Sequence, residues 1–146
     1  MECILFVGVQ GSGKSAFFKE RFADTHIRIN LDMLKTRHRE AAFFRLCLET
    51  GMPCVIDNTN PTAADRSNYI TQAKTRQFQV AGFWFDVPVK DALARNNARV
   101  DGRRIPVPGV LRTAKILERP VFSEGFDRLF RVRLEDGSFV VEALAD

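Results

Sequence analysis

The eight residues from Gly8 to Ser15, "GVQGSGKS", set a lysine and a hydroxyl behind three glycines. Glycines let the backbone curl until successive N–H groups face one anion, with the N-terminus of the next helix behind them. The stretch satisfies G-x-x-x-x-G-K-[ST] at every specified position. In that reading Gly8, Gln10, Gly11, Ser12, Gly13 and Ala16 wrap a polyphosphate, while Lys14 reaches its β- and γ-phosphates. The Ser15 hydroxyl then holds Mg2+.

A phosphate donor needs an acceptor. In "NLDMLKTRHRE", Asn30 to Glu40, the acid Asp32 stands ahead of Lys35, Arg37, His38 and Arg39. A carboxylate there can take the proton of an incoming hydroxyl. If the stretch is one helix, Arg39 lies two turns on and on the same face, where it can hold a phosphorylated acceptor. The alternative makes Asp32 only the cap or first-turn acid of its helix. "VIDNTNP", Val55 to Pro61, ends an apolar run on Asp57, the pattern of an acid that orients Mg2+ or its water. Asn58 and Thr59 beside it are candidates to touch the acceptor, or only a polar turn. Arg99, Arg103 and Arg104 flank Gly102 in a segment, about 95–108, that reads as a lid over the transferred phosphate. Arg95 at its base, or the 119–122 segment, could line a purine pocket.

The elements that must position these residues alternate in period. "CILFVGV" is a continuous apolar run, as in a strand covered on both faces. Helices are expected over 12–22, 31–50, 61–76, 88–99 and 109–118, with Asn60 capping the third and Pro61 in its first turn. "IRIN", "PCVID" and "FQVAGFWFDV" read as further strands, with Trp84 in the core. "RLFRVRL" and "FVVEA" flank an Asp136-Gly137 turn and form a hairpin. The expected fold is α/β: a mainly parallel sheet with helices on both faces and an antiparallel hairpin at its edge, in one domain spanning 1–146. Ligands in such sheets gather at the carboxyl ends of the strands, where Gly8, Asp32 and Asp57 all fall.

Taken together, "GVQGSGKSAFFK", "INLDMLKTRHR", "VIDNTNPTAADRSNYI", "RNNARVDGRRIPV" and "RPVFSEGFDRLFRV" resemble the polynucleotide 5′-hydroxyl kinases, in particular the kinase domain of the two-function end-healing enzymes. The resemblance runs over about residues 4–133. It implies a P-loop kinase fold and transfer of the ATP γ-phosphate to a 5′-OH end of DNA or RNA, with Mg2+. It implies Asp32 as general base, Arg39 on the acceptor's 3′-side phosphate, and Arg99 or Arg103 as the lid arginine. Leu31 stands where the family often has arginine, and Gln10 where proline is common. No Asp-x-Asp pair occurs, so no phosphatase activity is expected, and separate phosphatase or ligase partners would complete a repair reaction.

Composition bounds the alternatives. Net charge is +4, with seven basic residues against two acids between Arg95 and Arg119 and three against six from Glu124 onward. That asymmetry suits a phosphate-rich partner at one place. Cys3, Cys47 and Cys54 are odd in number and sit among apolar neighbours, as expected for reduced core thiols in the cytoplasm, or in a nucleus. No apolar run approaches the ~20 residues of a membrane span. Nothing suggests an exposed apolar stripe, so a monomer is expected. Two other functions fit the same residues: a kinase of a sugar, nucleoside or cofactor, and a module that uses ATP to order its lid against a partner.

Overall fold

The structure, a computed structural model, describes residues 1–100, 102 and 104–146. Six strands form one sheet in the order β2-β3-β1-β4-β5-β6. They are β1 (Glu2–Val7), β2 (Ile27–Ile29), β3 (Cys54–Ile56), β4 (Gln79–Phe85), β5 (Arg128–Glu135) and β6 (Ser138–Ala143). All neighbours run parallel except β5 and β6. Central β1 is buried from Cys3 to Val7, which is why it reads as an unbroken apolar run. At the far edge Asp136 and Gly137 take φ of 51° and 77°, the paired left-handed conformation that closes a two-residue hairpin.

The helices are α1 (Lys14–Arg21), α2 (Leu31–Leu34), α3 (Arg37–Thr50), α4 (Ala63–Thr75), α5 (Val89–Asn97) and α6 (Val107–Ile116). Each face of the sheet has its own core. On one, Phe6, Phe17, Phe22, Phe83 and Phe85 meet edge to face or tilted, with the Phe6 centroid 5.0–6.1 Å from the others. On the other, Leu5, Ile56, Phe44, Leu48, Ile70 and Leu129 pack under α3 and α4. The three thiols are buried and free, and Cys47 and Cys54 titrate well above the ordinary thiol range through thiol hydrogen bonds and burial.

Three expectations need correction. Residues 31–50 are two helices, not one: Lys35 takes φ 78°, and Thr36 opens α3 by accepting from Arg39 N. The shared face argued for Asp32 and Arg39 therefore does not exist. The cap of α4 is Thr62, which forms a reciprocal capping box with Asp65. Asn60 instead sits at φ 43° and donates its amide to Phe6 O at 2.8 Å. Trp84 is not a core residue but a half-buried one, with the Arg119 guanidinium 4.6 Å and that of Arg131 5.8 Å from its ring.

Candidate active site

The loop between β1 and α1 is held from three sides. Gly8 N donates to Thr59 O at 3.1 Å, which ties it to the segment after β3. Gly11, at φ 84°, presses so closely on α5 that a Cβ would lie 2.2 Å from the Ala92 carbonyl oxygen. Gly13, at φ 100°, backs onto Phe139 of β6 and the Arg95 guanidinium. Val9 joins Ala92 and Val110 in a small core that packs α5 and α6 against the loop. The Gln10 amide donates to Thr113 Oγ1 of α6 at 3.2 Å, and Ser12 Oγ is buried without a partner. Gly13 caps α1 with no side-chain hydrogen bond, and the first turn holds no acid, so the helix N-terminus is open to an anion. Ala16 is exposed on that turn.

Lys14 is buried and donates to Gly8 O at 2.9 Å and Val9 O at 2.8 Å. Burial pulls its pKa down to about 8. Asp57 and Asp32 oppose that shift and Arg99 adds to it. Lys14, Asp32, Asp57 and Arg99 therefore share one electrostatic neighbourhood, although they come from four segments of the chain.

Asp57, 1% exposed, follows directly on β3 and faces Ser15, whose hydroxyl lies 3.4 Å from Oδ2. Sequence reasoning missed the third member of this group. Arg28 of β2 donates Nε to Asp57 Oδ2 and Nη2 to Ser15 Oγ, both at 2.8 Å. Serine and carboxylate oxygens are hard donors, and a cation already rests on them, so this pair suits Mg2+. Mg2+ takes one or two protein oxygens and completes its shell with phosphates and water.

Asp32 is exposed in the first turn of α2. That turn is fixed by two side chains. Asn30 accepts from Met33 N at 2.9 Å and donates to Asp57 O at 2.6 Å. Asn58 Oδ1 accepts from Leu31 N at 2.9 Å. The other end of Asn58 meets Glu40, a buried carboxylate that also accepts from Tyr69 Oη at 2.6 Å and Arg37 Nη1 at 3.1 Å. Burial and the Glu40 hydrogen bond raise the pKa of Tyr69. Arg37, Glu40, Asn58, Thr59 and Tyr69 border a cleft of about 520 Å³ between α3 and α4. Arg39 is exposed on the first turn of α3 and reaches back to Leu34 O at 3.3 Å. Arg28, Glu40 and Tyr69 had little local signal in the sequence: apart from Arg37 beside Glu40, their partners lie 13 to 32 residues away.

Beyond α5, Arg99 is partly exposed and Arg103 lies outside the described residues. Asn96, fully buried, clasps both backbone groups of Ile105, donating to its O at 2.6 Å and accepting from its N at 3.0 Å. The two ends of the arginine-bearing segment are thereby pinned together. Arg95 also borders a second cleft, of about 400 Å³, with Asp86, Arg131 and Leu134. Among the described residues no helix is long and apolar enough to cross a membrane.

Comparison with known proteins agrees with this architecture. The chain is 32% identical over 135 residues to the "Putative bifunctional polynucleotide phosphatase/kinase" of Acanthamoeba polyphaga mimivirus, covering 88% of this chain. It spans about a third (32%) of that relative's length. Among solved structures, Kti12 of Chaetomium thermophilum in complex with ADP-AlF3 superposes with a TM-score of 0.69 at 16% identity, over 92% of this chain and 90% of that one. A gluconokinase from Sinorhizobium meliloti 1021 does so with a TM-score of 0.62 at 19% identity, over 90% and 82%. These likenesses place the sheet and its helices among the P-loop kinase folds. The AAA domain family matches residues 3–115, most of the chain, and the protein belongs to that P-loop family.

Proposed function

We propose that the protein transfers the γ-phosphate of ATP to the 5′-hydroxyl end of a polynucleotide, DNA or RNA. The observation that carries this reading is the convergence of Asp32, Lys14 and Asp57 on one rim. Asp32 stands exposed near Lys14, while Lys14 and Asp57 are buried. The likeness to the mimiviral polynucleotide phosphatase/kinase supports a nucleic-acid acceptor over other hydroxyls.

In the mechanism, the Gly8–Ser15 loop and the open end of α1 cradle the polyphosphate. Ser15 and Asp57 would hold Mg2+, which neutralises charge on the phosphates when bound. The chain supplies the rest. Asp32 accepts the proton of the 5′-hydroxyl as its oxygen attacks the γ-phosphorus. Lys14 leaves the Gly8 and Val9 carbonyls for the β- and γ-oxygens, and Arg99 offsets charge on the transferred group. The bond from γ-phosphorus to the bridging oxygen breaks and ADP leaves. Arg39, exposed on the first turn of α3, meets the next phosphate of the strand.

The test is transfer from γ-labelled ATP with Mg2+ to matched 5′-OH DNA and RNA oligonucleotides, with Asp32→Asn alongside. Labelled oligomer from wild type, reduced about a hundredfold or more in the variant, is the expected result. Unlabelled polymer from a protein that still binds ATP would overturn the assignment. A second reading, a kinase of a small metabolite, draws on the buried Glu40 in the α3–α4 cleft, because a carboxylate suits hydroxyls better than phosphates. Stimulation of ATP turnover by a polyol and not by oligonucleotide would favour it.

A further inference from the structure

Arg28 sits on the edge strand β2, which pairs only with β3. Its Nε and Nη2 take Asp57 Oδ2 and Ser15 Oγ at 2.8 Å each, and those two oxygens are 3.4 Å apart. Asp57 is 1% exposed, whereas the Arg28 side chain is a quarter exposed and crosses Phe18 with its guanidinium carbon 5.9 Å from the ring. A buried carboxylate without a cation is strongly unfavourable, so a charge at this place stabilises the fold before any metal arrives. A guanidinium lying on both oxygens fills the space a metal ion would use. Two cations within contact distance of one oxygen also repel each other.

We infer that Arg28 is the resident counter-cation of the metal position: it competes with the divalent ion for Ser15 Oγ and Asp57 Oδ2, and so sets how much metal the site requires. This rests on the reading that Ser15 and Asp57 hold the metal. Arg28 is placed to give way. Its strand is three residues long and at the sheet edge, and its side chain already touches solvent. Lys14 directs its ammonium to the Gly8 and Val9 carbonyls here, so the direct ion pair with Asp57 falls to Arg28. The inference separates two roles. Asp57 binds the metal, and Arg28 keeps Asp57 paired and oriented while the metal is away.

The experiment is Mn2+ binding followed by electron paramagnetic resonance, with saturating ADP and no acceptor, for wild type, Arg28→Met and Arg28→Lys. Met keeps an unbranched, though shorter, stem and removes the charge. Lys keeps the charge but cannot fork across both oxygens. The expected result is Mn2+ binding about tenfold tighter in Arg28→Met and intermediate in Arg28→Lys. The metal-free melting temperature of Arg28→Met should fall, and Mn2+ with ADP should restore it. Unchanged or weaker Mn2+ binding in both variants would overturn the inference. Should Arg28→Met not fold, Arg28→Lys alone decides, through the same comparison. If wild type binds ADP but no Mn2+, the metal reading of Ser15 and Asp57 fails instead, which keeps the two failures distinct.

Discussion

Asn58 donates its side-chain amide to Glu40 Oε2 at 2.6 Å, and that bond decides which way the amide faces. Glu40 can only accept and Leu31 N can only donate, so Nδ2 must point to the carboxylate and Oδ1 to the helix start that carries Asp32. Glu40 thus acts on Asp32 through Asn58, without touching it. In Glu40→Gln a donor can face Asn58 Nδ2, and the amide loses its reason to hold Leu31. We expect transfer to slow by about tenfold while the melting temperature changes little. Glu40→Ala takes the acceptor from the Tyr69 hydroxyl and from Asn58 Nδ2 and should lower stability by about 1–3 kcal/mol in urea unfolding. An unchanged rate in Glu40→Gln would reduce the network to a structural one.

The pH dependence of nucleotide binding follows from Lys14. Its pKa in the fold is about 8, below the ordinary 10.5, because burial disfavours the charged form. Below 8 the lysine is protonated in folded and unfolded chains alike. Between 8 and 10.5 the unfolded chain keeps a proton the fold has released, so this group makes stability rise with pH across that window. Nucleotide binding runs the other way, since the phosphates require the ammonium. ADP affinity should fall by up to about tenfold per pH unit above 8, with proton uptake visible calorimetrically in buffers of different ionisation heat. Lys14→Met should abolish the slope.

Arg66 is fully buried on α4 and forks onto Glu124 at 2.8 and 3.0 Å, while its Nη1 donates to Asn60 O and Pro61 O. It ties the turn after β3 to the 3-10 turn Phe122–Glu124. Arg66→Ala strands the Glu124 carboxylate and should destabilise by about 3–5 kcal/mol. Arg66→Lys should recover little, because an ammonium cannot serve carboxylate and carbonyls together. Chemical denaturation measures both.

Gly11→Ala should damage nucleotide binding more than fold stability suggests. Its Cβ would overlap the Ala92 carbonyl at 2.2 Å in a conformation, φ 84°, already unfavourable to alanine. The loop has to lift from α5, and ADP affinity should drop at least about tenfold. Gly137→Ala is the control: φ is 77° there too, yet a Cβ meets nothing within 4 Å, so only the backbone strain of about 1–3 kcal/mol remains.

What the sequence disclosed was local chemistry. The phosphate loop, the Asp136-Gly137 hairpin and the parallel sheet are each written in a few adjacent residues. The break at Lys35 was hidden because a lysine rarely adopts positive φ, although Thr36 is a good cap. The true start of α4 was legible in Thr62-x-x-Asp65 and lost to the louder Asn60-Pro61 pair. Arg28, Glu40 and Arg66 could not be read at all. Each is an ordinary helix or strand residue whose partner is remote in the chain, and only the fold makes it polar machinery.

The support of the phosphate loop has a consequence for synthesis. β1 and the loop precede their supports in the chain, yet β1 pairs with β3 and β4, Gly11 rests on Ala92, and Gly13 backs onto Phe139. At about 5–20 residues per second the ribosome needs about 6–25 s to go from Ser15 to Phe139. Throughout that interval the anion-binding segment exists without its walls. The phosphate loop is made well before its supports and matures only with them, and early ATP would meet a chain unable to hold it.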